Sequence, residues 1–179
     1  MNKNPASSSS KTVSPDRVTE MELSEFISPT KGPMSFDSMF DDIIDFMDSQ
    51  SDASYKIIVG SDSQIGNRIC FVTAVIIHRQ GKGARYFYQR QYHRKLSSLR
   101  QKIFYEASLS LHLAGLLAGR LAENGHSSLD VEIHLDVGPR GRTSELIREV
   151  VGMVTGSGFD AKIKPDSFGA SNVADRHTK

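Results

Sequence analysis

The chain has 179 residues, 38% of them hydrophobic, which suffices for one ordinary core and gives no sign of a second globular domain. Its net charge of +1 conceals a split, with four Lys/Arg against nine Asp/Glu in residues 1–50 and eighteen against twelve in residues 51–179. A lone cysteine, Cys70, excludes an internal disulfide. The absence of a bilayer-length apolar run and of a signal-peptide core argues against a membrane or exported protein, so a cytoplasmic location is expected.

In chain order, Met1 to about Ser14 is Ser, Asn, Lys and Pro with little to bury, and residues 1–34 as a whole read as a poorly ordered tail. Residues 35–50 then read as an amphipathic acidic helix. Phe36, Met39, Phe40, Ile43, Ile44 and Met47 recur at helical spacing, Ser35 is placed as N-cap, and Asp37, Asp41, Asp42, Asp45 and Asp48 fall mostly elsewhere around the helix. The expected role is to cover the domain that follows.

The next stretch, KIIVGSDSQ from Lys56 to Gln64, runs apolar through Ile57, Ile58 and Val59 and then meets Asp62. A carboxylate at the end of a buried strand needs compensation, either from turn hydroxyls and amides such as those of Ser61 and Ser63 or from a metal ion. Two more strands are predicted, Arg68 to His78 and Ala84 to Gln91. Gly81 and Gly83 between them imply an antiparallel meander, and the more polar third strand suits a sheet edge.

A long helix is predicted from Ser97 to about Glu123, with Leu99, Ile103, Leu113, Leu117 and Leu121 on one face. Glu106 lies in that face, either snorkelling and salt-bridged or turned toward the sheet for a purpose. Leu129 to Asp136 alternates as a strand does and again ends in an aspartate. Gly138, Pro139 and Gly141 mark a turn, a helix is expected from about Thr143, a short strand from Phe159 to Lys164, and a helical stub from Ser171 or Asn172 that carries Asp175.

This order of elements resembles the ribonuclease H-like fold, whose pattern places carboxylates on the first strand, the first helix, the fourth strand and the start of the last helix. The matching positions are Asp62 in GSDSQ, Glu106 in IFYEASLS, Asp136 in IHLDVG and Asp175 in NVADRHTK. The similarity is closer to the bacterial YkuK-like group of predicted ribonuclease H-related proteins, through VGSDSQ, GKGARYFY, IHLDVGPRGRT and GFDAKIKPDSFGASNVADRHTK, and it covers about Tyr55 to Lys179. It implies an α/β domain over residues 55–179 with a mixed five-stranded sheet, three antiparallel strands then two parallel, flanked by helices. It also implies a divalent-metal-dependent nuclease in which Asp62, Glu106, Asp136 and Asp175 are catalytic and hold two Mg²⁺ or Mn²⁺ ions. The chain runs only four residues past Asp175, so a full last helix is not expected.

The chemistry is coherent with that resemblance. Several carboxylates gathered without cations repel one another, whereas divalent ions on either side of a phosphate activate water and stabilise the leaving oxygen with oxygen ligands alone. A nucleic-acid partner is suggested by His78 to Lys102, which holds eight Lys/Arg and no acid. Arg79, Lys82, Arg85, Arg90, Arg94 and Lys95 can meet phosphates, and Tyr86 and Tyr88 can stack on bases. The same run also suits a charged edge strand whose aromatics are partly in the core. Two other functions fit the element order: a nucleic-acid-binding or regulatory protein without catalysis, and a phosphate-binding relative of actin and sugar kinases, disfavoured because the chain is too short for a second domain.

Overall fold

The computed structural model describes residues 25–94, 96–140 and 142–178. Twelve elements follow one another: β1 (Phe26–Ser28), β2 (Gly32–Met34), α1 (Phe36–Asp48), β3 (Tyr55–Ile65), β4 (Ile69–Arg79), β5 (Ala84–His93), α2 (Leu99–Glu123), β6 (Asp130–His134), a 3₁₀ turn (Ser144–Leu146), α3 (Ile147–Gly156), β7 (Asp160–Lys162) and α4 (Phe168–Thr178). The strands form one mixed sheet in the order β2-β1-β5-β4-β3-β6-β7. β3, β4 and β5 make the antiparallel meander, while β6 pairs with β3, and β7 with β6, in parallel.

Helix starts follow local chemistry. Ser35 Oγ accepts from the Ser38 amide at 3.1 Å at the head of α1, and Ser98 Oγ from the Gln101 amide at 3.2 Å at the head of α2. α2 closes at Gly125, whose φ of 80° needs glycine, with the His126 amide returning to the Leu121 carbonyl at 2.8 Å.

The two faces of the sheet are covered unequally. α1, α2 and α3 bury one face around Phe40, Ile43, Ile57, Val59, Val75, Phe87, Leu113, Leu117 and Val150. On the other, α4 packs Ala170 and Ala174 against Val72, Ala74, Ile76 and Tyr88. Because strand side chains alternate, each residue of β3 belongs to one face or the other.

Several expectations are corrected. The sheet has seven strands and not five, because residues 26–34, expected as the end of the tail, form the β1/β2 hairpin; residues 1–24 lie outside the described residues. That hairpin joins β5 at Ile27 and Tyr88, so β5 is not the edge. β3 continues to Ile65, which puts Asp62 inside the strand opposite Val72 instead of at its end. The last strand is shorter than expected, and α4 is an 11-residue helix that begins at Phe168, so Asp175 lies in its second half. No described helix is long and apolar enough to cross a membrane.

Candidate functional site

Asp62 is placed by its strand. Gly60 and Asp62 face α4 while Ser61 and Ser63 face α2, and both sides are tied down. A Cβ on Gly60 would come within 2.7 Å of the Ala170 Cβ and 2.9 Å of the His134 carbonyl oxygen, so glycine lets α4 lie directly on β3. On the opposite side the Ser61 hydroxyl lies 2.9 Å from those of Thr73 and Ser110, and Ser110 Oγ donates to the Glu106 carbonyl at 3.1 Å. These hydroxyls lock α2 to β3 at the level of the acidic residues; the sequence hints at them only through serines on otherwise apolar faces.

Glu106 is buried, and the Ser63 hydroxyl donates to its Oε1 at 2.7 Å while Lys102 Nζ lies 3.3 Å from the same oxygen. Burial pushes its pKa up to about 7 against the pull of Lys102 and Ser63, and Asp62 raises it further. Asp62 is only partly buried, yet its pKa is also raised, first by burial and then by the like charges of Asp136 and Asp175, with the Ser63 amide and Lys102 opposing. Asp136, just past β6, accepts from Lys164 Nζ at 2.7 Å. Lys164 in turn has its pKa raised, by that hydrogen bond first and also by Asp62 and Asp175. Asp175 is exposed on α4. The four carboxylates predicted from the sequence therefore interact electrostatically at one end of the sheet, contributed by β3, α2, the segment after β6, and α4.

Among the described residues Lys102 and Lys164, absent from the predicted site, stand among these acids. Among the described residues, no three His, Cys, Asp or Glu side chains are grouped tightly enough to hold an ion as they stand. The donor type nonetheless suits a hard divalent cation: every candidate ligand is a carboxylate oxygen, and the ionisation of Asp62 and Glu106 is opposed by burial and by neighbouring aspartates.

A second buried network was not foreseen. His134 Nε2 lies 2.7 Å from Glu132 Oε1, and Lys56 Nζ donates to Glu132 Oε2 at 3.0 Å. Burial raises the Glu132 pKa, but the hydrogen bonds from His134 and Lys56 outweigh it and hold the carboxyl below its ordinary value.

The basic run is divided between the two ends of the sheet. Arg79 lies opposite Tyr55, about 23 Å along β3 from Asp62, with its guanidinium 4.3 Å from the Phe46 ring centre and a 2.8 Å hydrogen bond to Gln50. Arg85, at the same far end, pairs with Asp42 at 2.6 Å. Lys82 is exposed in the β4–β5 turn. Tyr88 is buried and stacked on His177 with ring centres 3.8 Å apart, so it does not offer a face to a base; Tyr86 is half-buried beside the same histidine. Arg90 lies level with Asp62 but donates to the His177 carbonyl at 2.8 Å. Arg94 is exposed near the acidic end, and Lys95 lies outside the described residues. Sequence reasoning passed over Arg68, exposed in the β3–β4 turn with its guanidinium 5.4 Å from the ring centre of exposed Tyr92, and Arg140, exposed beside the cleft formed by Gly138, Pro139, Lys164 and Pro165.

A helix-flanked mixed sheet with acids on β3, α2, the β6 end and α4 defines a ribonuclease H-like architecture. A model described as ribonuclease H-like matches residues 38–179, and the chain belongs to that family. It is 34% identical over 166 residues, covering 86% of this chain and 96% of the other, to a protein of Bacillus subtilis (strain 168) named "Uncharacterized protein YkuK". No solved structure matches it significantly.

Proposed function

We propose that this protein is a divalent-metal-dependent nuclease that hydrolyses phosphodiester bonds at the Asp62, Glu106, Asp136 and Asp175 carboxylates. One observation carries the reading: Asp136 and Asp175, from two other elements, both bear on the charge of Asp62 at a single end of the sheet, with Glu106 beside it. Burial and nearby aspartates oppose the ionisation of Asp62 and Glu106 even with Lys102 and Lys164 present, which a bound divalent cation would offset, and phosphodiester chemistry uses such cations.

These four residues would hold Mg²⁺ or Mn²⁺, which when bound supplies Lewis acidity toward a phosphoryl oxygen and an activated water. Without metal Glu106 keeps its proton up to about pH 7, so ligation at neutral pH would release that proton and be favoured as pH rises. Lys102 and Lys164, beside Glu106 and Asp136, would offer their ammonium groups to a phosphate bound there. Nucleic acid is the proposed partner, met at this end by exposed Arg68, Tyr92, Arg94 and Arg140 in preference to Arg79 and Arg85, which are committed to α1.

The test is a panel of labelled single-stranded, duplex and hybrid RNA and DNA with Mg²⁺, Mn²⁺ or EDTA, using wild type and Asp62→Asn. Cleavage by wild type that is lost in EDTA and in the variant supports the reading; equal cleavage by both proteins overturns it. A non-catalytic nucleic-acid-binding protein is the second reading, favoured by the pairing of Lys164 with Asp136 and Lys102 with Glu106. Binding without cleavage under any metal would select it.

A further inference from the structure

The face of the sheet that carries Asp62 is only partly covered. Strand pairing sets its rows: Asp62, Val72 and Arg90 lie abreast, and Gln64, Cys70 and Tyr92 form the next row toward the β3–β4 turn. Residues abreast share a face, as do residues two apart on a strand, so Tyr92 stands on the same face as Asp62. α4 crosses this face with Ala170 and Ala174 against the sheet, and its far end reaches β5, where His177 stacks on Tyr88 and its carbonyl accepts from Arg90 Nε at 2.8 Å. In the row beyond, Gln64 is exposed and Tyr92 is 58% exposed.

Tyr92 is steadied by arginine without being covered. Arg68, from the β3–β4 turn, donates to the Tyr92 carbonyl at 3.3 Å and sets its guanidinium 5.4 Å from the ring centre. Arg90, two residues earlier on the same face, turns away onto the Tyr88 ring at 5.1 Å. The neighbour abreast on β4 is Cys70, too small to cover a ring. Two strands' width and two residues' rise put Tyr92 roughly 12 Å from Asp62. Exposed Arg68 and Arg94 flank it, so this patch offers cations to phosphates and a flat apolar surface to a base. Inside a duplex both faces of a base are taken by its neighbours. Only an unpaired base can be laid on an aromatic ring.

Building on the nucleic-acid partner proposed above, we propose that Tyr92 is a base-stacking platform and that the substrate is single-stranded nucleic acid, running from Asp62 across this ring. Arg68 and Arg94 then hold its phosphates, and the choice of strand over duplex is made by the ring and not by the charges.

The chain contains no tryptophan, so Tyr92→Trp places a lone fluorophore at the platform. Its emission, and the anisotropy of labelled oligonucleotides with the full-length wild type, Tyr92→Trp and Tyr92→Ala, are read in EDTA and in Mg²⁺ with a single strand, a blunt duplex and an abasic strand of the same length. The single strand should quench the emission, bind wild type and Tyr92→Trp alike, and bind Tyr92→Ala about tenfold more weakly. The duplex and the abasic strand should bind wild type and Tyr92→Ala equally and leave the emission unchanged. Circular dichroism confirms the fold of Tyr92→Ala, and the quenching does not depend on that variant. Equal losses on all three ligands, no loss on the single strand, or a bound single strand that quenches no more than the duplex overturns the platform and leaves the nucleic-acid reading standing. No binding by wild type in either condition overturns both. Because binding is read apart from cleavage, a protein that binds the single strand without cutting it keeps the platform and loses the nuclease.

Discussion

Asp42 and Asp62 are two acids in protein surroundings, and their neighbours make opposite use of them. Asp42, 4% exposed on the inner face of α1, accepts from Arg85 of β5 at 2.6 Å and from Lys31 of the β1–β2 turn at 2.8 Å. It clasps three elements together and belongs to the architecture. Asp62 is less buried, yet burial is the first cause that raises its pKa, and two further aspartates raise it again against the Ser63 amide and Lys102. Burial alone does not single out a reactive carboxylate. The charges around it add a second criterion, which marks the α1–β5 junction as scaffold and agrees with the proposal that the β3–β6–α4 end is the place for chemistry.

The comparison breaks most sharply at Asp62. Asp62→Asn is expected to lower divalent-dependent cleavage by about 10³-fold or more, a loss of several kcal/mol from the transition state, while metal-free stability stays level or rises. Single-turnover cleavage and urea unfolding without metal check the two halves. Wild-type cleavage by the variant would return Asp62 to the class of Asp42.

Glu106 gives the next largest effect, and it depends on pH. The folded protein keeps the carboxyl proton to about pH 7, whereas the ordinary value is 4.5. Stability from this group is full below the lower value and is lost as pH rises through the higher. Glu106→Gln should therefore leave stability at pH 4 nearly unchanged and add about 2–3 kcal/mol at pH 8, read from urea midpoints at both pH values, and should forfeit the stabilisation that divalent ions give wild type. A loss of stability at pH 8 would mark Glu106 as a structural partner of Lys102.

At the architectural acid the signs invert. Arg85→Ala takes one of two cations from buried Asp42 and should cost about 1–2 kcal/mol at neutral pH, while the double variant with Asp42→Asn recovers part of that loss; urea unfolding of the two measures it. An unchanged midpoint for Arg85→Ala would show that Lys31 alone suffices. The smallest expected effect is at Arg94. Its replacement by Ala should reduce the slope of log affinity against log salt for nucleic acid by about 1 and leave the fold untouched. The same salt series on Arg85→Ala should leave the slope as it is.

Much of this was legible in the chain. Ser35 as a cap, the three long strands, the helix over 99–123 and the inward turn of Glu106 all follow from patterns within a few residues. What escaped depends on distant partners. Three-residue strands in FISPTKGPM are too short to display alternation, and β1 exists because β5 offers it a pairing. The start of α4 at Phe168 runs through Gly169, Ser171 and Asn172, poor helix formers that hold because Ala170 and Ala174 pack on the sheet. The basic run read as one surface because its sequence is continuous, whereas the β4–β5 turn sends Arg79 and Arg85 to one end and Arg94 to the other. Nothing near Lys164 in the sequence points to Asp136, 28 positions earlier; their meeting is a product of parallel pairing between β6 and β7.

The short hairpin at the head of the described chain has a further consequence, for self-association. β3, β4 and β5, at 10 or 11 residues, are the strands whose open ladders would best template a second copy, and all three lie inside the sheet. The outermost strands are three residues each. β2 carries Pro33, which has no amide to donate, and β7 begins and ends in charge at Asp160 and Lys162. Removal of the chain before Ser35 by a protease would bare the middle of β5, with Tyr86, Phe87 and Tyr88 in line, and turn a guarded sheet into one able to grow strand by strand into fibrous aggregates.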